Sequence, residues 1–263
     1  MRTEPEPRPL NGRHAVITGG SRGIGAAIAH ALAAQGAAIT VMGRDSDALE
    51  ASARAAREYG IAATAVVCDV TDEPGVRAAF DEARSTHGDP YILVNNAGQA
   101  EGAPFHETTT AMWQRMIDAN MTGAFLCTHQ VVDAMLAQRA GRIVNIASTS
   151  GLRGYRNVTA YCASKHGLIG FTRALAAETA RAGITVNAVC PAYTDTAMAT
   201  RAAHTIARDM DRTTEDARAM IARAIPRGSL IEPREVASAV VWLCSPDATG
   251  ITGQAIAVAG GEV

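Results

Sequence analysis

The 263-residue chain holds no apolar run long enough to cross a bilayer, no internal repeat and no low-complexity linker. It also lacks an excess of positive charge. A formal net charge of -2 provides neither a field for nucleic acid nor a polybasic anchor for anionic lipid, so small-molecule chemistry is left as the expectation. Its five cysteines, Cys68, Cys127, Cys162, Cys190 and Cys244, are odd in number, widely spaced and without a C-x-x-C pair. They read as buried thiols of a reducing compartment rather than as metal ligands or disulfides. Residues 1–10 are acidic and proline-rich, without the apolar core of a secretory signal, and read as a flexible extension of a cytoplasmic protein.

What is present is an alternation of two periods. Short apolar β-type runs at 14–18, 38–42, 63–68, 91–95, 142–148, 184–190 and 254–258 are separated by alanine-rich stretches of helical period. Helices are expected near 23–35, 46–59, 73–87, 111–139, 161–181 and 233–244, most of them ended by glycine or proline. Runs that are nearly continuous in apolar character suit parallel strands covered on both faces. The expected fold is therefore α/β: one Rossmann-type domain over 11–263, a doubly wound sheet of seven parallel strands flanked by helices. Residues 192–226 are too long for an ordinary connection and carry their own helical pattern. Their position after a strand's carboxyl end makes them a substrate lid, with a packed helical insertion as the alternative.

The first strand runs into Thr18-Gly19-Gly20-Ser21-Arg22-Gly23-Ile24-Gly25 and then into a helix. Glycine there lets backbone approach a pyrophosphate, and the helix N-terminus offers free N–H groups and its positive dipole end. The spacing is G-x-x-x-G-x-G. Further along stand Asn95-Asn96-Ala97-Gly98 after the fourth strand, Asp69-Val70 after the third, Asn120, and Tyr161-x-x-x-Lys165 with Ser148 thirteen residues before the tyrosine. In this set and its order the chain resembles the short-chain dehydrogenase/reductase family from about Asn11 to Gly261.

That resemblance implies a nicotinamide dinucleotide held by Gly19, Ser21, Arg22, Gly23, Ile24, Gly25, Asp69, Val70, Asn96, Ala97 and Gly98. It implies catalysis by Ser148, Tyr161 and Lys165, with Asn120 holding a water that links Lys165 to solvent. Pro191-Ala192-Tyr193-Thr194-Asp195-Thr196 is similar to the family's P-G-x-x-x-T, which would place Pro191, Thr194 and Thr196 at the nicotinamide carboxamide. Ala192 departs from the usual glycine, so its backbone should have φ of ordinary sign. From the residues themselves, Tyr161 and Lys165 lie four apart on a helix and share a face, toward both cofactor and substrate. A phenol with a pKa of about 10 exchanges protons poorly near neutrality, so a nearby ammonium and an oxidised nicotinamide are expected to lower it. Ser148 would end its strand and donate to the substrate oxygen, with Ser150 as the alternative donor.

The second strand ends Val41-Met42-Gly43-Arg44, without the acid that would bind both ribose hydroxyls. Arg44 and Arg22 could pair with a 2'-phosphate, favouring NADP(H), while Asp45 swinging toward a ribose would allow NAD(H). The stretch 161–191 is closest in flavour to the family's 3-oxoacyl and polyketide ketoreductases, and Ser148, Ser150, Leu152, Arg153, Tyr155, Tyr193 and Met198 are the expected pocket. Arg153 could meet an anionic substrate, or be a solvated loop residue. The rivals are an NAD-dependent 3-hydroxyacyl or secondary-alcohol dehydrogenase working oxidatively, and a dinucleotide-binding sensor without turnover. By resemblance the chain forms a homotetramer through the helices at 111–139 and 161–181 and the C-terminal segment.

Overall fold

A computed structural model describes residues 8–263. Seven strands follow the apolar runs: β1 His14–Thr18, β2 Ala38–Gly43, β3 Ala63–Val67, β4 Ile92–Asn95, β5 Gly141–Ile146, β6 Ile184–Pro191 and β7 Ala255–Val258. Ten α-helices connect them: α1 Gly23–Ala34, α2 Ser46–Arg57, α3 Glu73–His87, α4 Thr110–Ile117, α5 Gly123–His129, α6 Val132–Gln138, α7 Thr159–Thr179, α8 Ala197–Asp209, α9 Thr214–Ala224 and α10 Pro233–Cys244. All strand pairs are parallel and the order is β3-β2-β1-β4-β5-β6-β7. The chain winds outward from β1 to β3, then returns to β4 on the other side of β1. A crevice opens at that reversal, beyond the strands' carboxyl ends, where such sheets bind ligands.

Strands β1, β4, β5 and β6 are buried along their whole length, as their predominantly apolar character suits. One core layer packs Ile28, Leu32, Leu49 and Val240 of α1, α2 and α10 on the sheet. The other packs Phe80, Leu126 and Met135 on its opposite face. Among the described residues, no helix is long and apolar enough to cross a membrane. All five cysteines are buried.

Three expectations need correction. The single helix expected over 111–139 is α4, a π-helical turn Asp118–Thr122, α5 and α6, and it ends where Arg139 takes a left-handed φ of 52°. Residues 1–7 of the expected extension lie outside the described residues, but Leu10 is only 2% exposed, its N–H bonded to the Gln35 carbonyl, so the chain is already docked there. Strand β5 stops at Ile146, and Ser148 instead caps a short 3-10 turn, Thr149–Gly151. The 192–226 segment holds α8 and α9, packed together through Ala203, Ala207, Ala217 and Ile221.

Candidate active site

The carboxyl ends of β4, β5 and β6 and the first turns of α7 bring Ser148, Tyr161 and Lys165 together. The Ser148 oxygen accepts from the Ser150 N–H at 3.0 Å, and its hydroxyl neighbours the Tyr161 phenol. Lys165 Nζ lies 5.7 Å from the Tyr161 ring centroid and donates to the Ile146 carbonyl at 2.8 Å. Burial pushes the Tyr161 phenol up to about 12, the nearby Ser148 hydroxyl opposing, and lowers the Lys165 ammonium to about 8. In the protein by itself desolvation outweighs Lys165, whose ammonium faces the Ile146 carbonyl; the oxidised nicotinamide is the other charge expected to lower the phenol. At neutral pH the tyrosine holds its proton.

Asn120 projects from the π-turn and joins three elements. Its Nδ2 donates to the Gln99 carbonyl at 2.9 Å and to Ser164 Oγ at 3.1 Å, while Oδ1 accepts from the Gln99 N–H at 2.8 Å. Ser164 Oγ in turn donates to the Tyr161 carbonyl. This side chain, expected to hold a water, fixes the loop after β4 to the helix that carries Tyr161 and Lys165. Below it runs a buried chain that sequence reasoning missed: Asn95 Nδ2 donates to Thr128 Oγ1 and Asn145 Oδ1, and Asn145 Nδ2 donates to Thr172 Oγ1. Asn145, the one polar residue inside the otherwise apolar run Ile143-Val144-Asn145-Ile146, was the available signal.

The glycine turn is shaped for close approach. Gly19 and Gly23 hold φ of +63° and +57°, and a Cβ on Gly25 would overlap the Gly19 carbonyl oxygen. Helix α1 begins with neither a side-chain cap nor an acid in its first turn, so its leading N–H groups face the crevice free to bind an anion. These features fit a dinucleotide pyrophosphate. The Asn96 side chain, expected among the cofactor contacts, donates instead to the Thr18 and Gly19 carbonyls at 2.9 and 3.0 Å and pins the turn. Ser21 and Ile24 flank the turn half-buried, and Ala97, whose N–H bonds Thr18 Oγ1, and Gly98 continue the opposite wall. A Cβ on Gly23 would stand 3.1 Å from the Thr196 methyl, so the glycine turn and the loop after β6 close on each other. In that loop the Thr194 and Thr196 hydroxyls donate to the carbonyls two residues before them, Pro191 is buried, and Ala192 has no left-handed φ, as expected.

At the outer end of the crevice Arg22 is exposed, and Arg44 Nη1 is 3.8 Å from Asp69 Oδ2. Asp69 also accepts from the Thr71 N–H and hydroxyl, and those bonds hold its carboxyl below the usual range. Val70 is buried against Gly123 of α5. Gly43 leaves space at the end of β2, where only Leu49 comes near a built Cβ. On the substrate side, Ser150 is buried, Leu152 packs on the α7 core, and Tyr193 and Met198 stand at the root of α8. Arg153 and Tyr155 are not free to meet a ligand: both donate to Glu262 Oε1, at 2.9 and 2.7 Å. Glu262 was not anticipated, because its partners lie over a hundred residues away in the chain.

Compared with known proteins, residues 13–207 match the family described as short chain dehydrogenase. The chain is 42% identical to a protein named as ketoacyl reductase 1 of the granaticin polyketide synthase of Streptomyces violaceoruber, over 94% of this chain and 92% of that one. It is 41% identical to the cis-4-hydroxycyclohexanecarboxylate dehydrogenase of Sinomonas cyclohexanicum, over 95% and 96% of the two chains. Among solved structures, that of an actinorhodin polyketide ketoreductase variant with NADPH superposes with a TM-score of 0.92 at 39% identity, covering 95% of this chain and 97% of that one.

Proposed function

Because the chain belongs to the short chain dehydrogenase family and is an oxidoreductase of carbonyl and alcohol groups, we propose that it is an NADP(H)-dependent ketoreductase acting on a 3-oxoacyl or related carbonyl substrate. The observation that carries the reading is the grouping of Ser148, Tyr161 and Lys165 at the crevice, where burial keeps the Tyr161 phenol in its protonated, donating form. Likeness to the NADPH-bound ketoreductase and to the granaticin protein supports the cofactor and the substrate class.

When bound, the cofactor supplies the hydride. Ser148 donates a hydrogen bond to the substrate carbonyl oxygen, and Tyr161 gives that oxygen its proton as negative charge develops. Lys165 holds the ribose and the tyrosine's surroundings, and Asn120 fixes the helix that presents them. The α1 N-terminus with Gly19, Ser21, Gly23, Ile24 and Gly25 takes the pyrophosphate. Asp69, Val70, Asn96, Ala97 and Gly98 flank the adenosine, and Pro191, Thr194 and Thr196 meet the carboxamide. Arg22 and Arg44 bind the 2'-phosphate, beside a β2 end that carries Gly43 where an acid would repel it. A cytoplasmic location accompanies this reading.

An NAD-dependent alcohol dehydrogenase is the second reading, favoured by the Arg44–Asp69 ion pair, which draws that arginine away from a phosphate, and by likeness to the Sinomonas dehydrogenase. Initial rates of NADPH and NADH oxidation with 3-oxoacyl thioesters and simple ketones separate the two. The proposal expects NADPH and the thioesters to win by more than about tenfold, a difference of about 1.4 kcal/mol in transition-state binding; faster NADH oxidation would overturn it.

A further inference from the structure

The loop after Ser148 meets an acid that the chemistry above does not use. Glu262 lies past β7 with its side chain only 6% exposed, and its Oε1 accepts from both Arg153 Nη2 and Tyr155 Oη. Arg153 also stacks on the Tyr155 ring, its guanidinium carbon 4.6 Å from the centroid. The Arg153 N–H bonds the carbonyl of Thr149, the neighbour of Ser148, at 3.1 Å, so the clasp grips the loop that carries the substrate-facing serine. Tyr193, which borders Tyr161, also feels the Glu262 charge.

The loop beside Ser148 thus carries a guanidinium whose charge is cancelled by a buried carboxylate before any substrate arrives. A free arginine there would attract a substrate carboxylate by a charge-assisted hydrogen bond. We propose that Glu262 is a specificity-determining residue: by neutralising Arg153 it tunes the pocket to uncharged carbonyl compounds and turns away oxo acids. The proposal rests on the ketoreductase reading and extends it to the charge class of the substrate. Glu262 Oε2, buried without a partner among the described residues, is consistent with a carboxylate held for its charge on Arg153 rather than for a complete set of hydrogen bonds.

The test compares acetoacetate with its ethyl ester, which differ in charge and share the reacting ketone. Wild type should reduce the ester with the higher kcat/KM. E262Q, isosteric and retaining a hydrogen-bond acceptor, should raise the acid-to-ester ratio of kcat/KM about tenfold, mainly through KM for the acid. The double variant R153M/E262Q should lose that gain, since the freed guanidinium is its source. A clasp that only braced the loop would lower both substrates together, so an unchanged ratio in E262Q overturns the inference, as does a gain that survives in the double variant. A wild-type protein that reduces neither compound nor any other ketone overturns the ketoreductase reading and this inference with it.

Discussion

Lys165 is the only lysine in the chain, against 23 arginines, and it sits 5% exposed beside Tyr161. Arginine could not replace it, because its guanidinium is bulkier, planar and does not titrate near neutrality. With its ammonium lowered to about 8 by burial, Lys165 is charged below that pH and neutral above it. The reduction rate should therefore be level from pH 6 to 7 and fall on the alkaline side of about 8, up to about tenfold per pH unit. A pH–rate profile checks this, and a rate that stays level through pH 9 would contradict it. Tyr161 and Lys165 were legible in the sequence because helical spacing places them on one face, and Ser148 because the family resemblance implies its place. Glu262, Thr128 and Thr172 were not, since each acts through partners far away in the chain. Thr172→Val tests that missed chain: it leaves buried Asn145 Nδ2 without an acceptor and should cost about 1–3 kcal/mol, read as a lowered denaturation midpoint.

Elements were easier to read than their ends and interruptions. The seven strands lie within about two residues of the apolar runs, because strands buried on both faces must be apolar throughout. The expected 111–139 helix failed for a tertiary reason: Asn120 must reach both Gln99 and Ser164, and the π-turn is what aims it there. The glycine turn was recognised, but not that Asn96 braces it. Gly25→Ala would drive a methyl into the Gly19 carbonyl and Asn96 Nδ2 and distort the turn. Its NADPH affinity should fall about tenfold or more, measured by cofactor fluorescence, with the fold retained by circular dichroism.

The whole molecule carries an acid-sensitive point at the end of the sheet opposite the crevice. His14, 3% exposed, donates from Nδ1 to the Gly88 carbonyl and accepts at Nε2 from Thr40, and burial lowers its pKa to about 4. As pH falls below about 6.5 the unfolded chain takes up this proton first, so stability declines through that window and the loss is complete below about 4. The full effect is about 3 kcal/mol, and His14→Gln should remove that part of the acid sensitivity, as urea midpoints at pH 7 and 4.5 would show. At the same scale we propose a homotetramer. Trp113 and Phe125 of α4 and α5 are 39% and 49% exposed, large apolar surfaces on the helices expected to pair, and a monomer mass by light scattering would refute the assembly. The most direct test of the account as a whole is Tyr161→Phe, which removes one hydroxyl from the crevice and leaves the glycine turn untouched. Turnover with NADPH should fall by about a thousandfold or more while the cofactor Kd stays within about threefold; a variant that still reduces ketones at near the wild-type rate would contradict the assignment of Tyr161 as the proton donor.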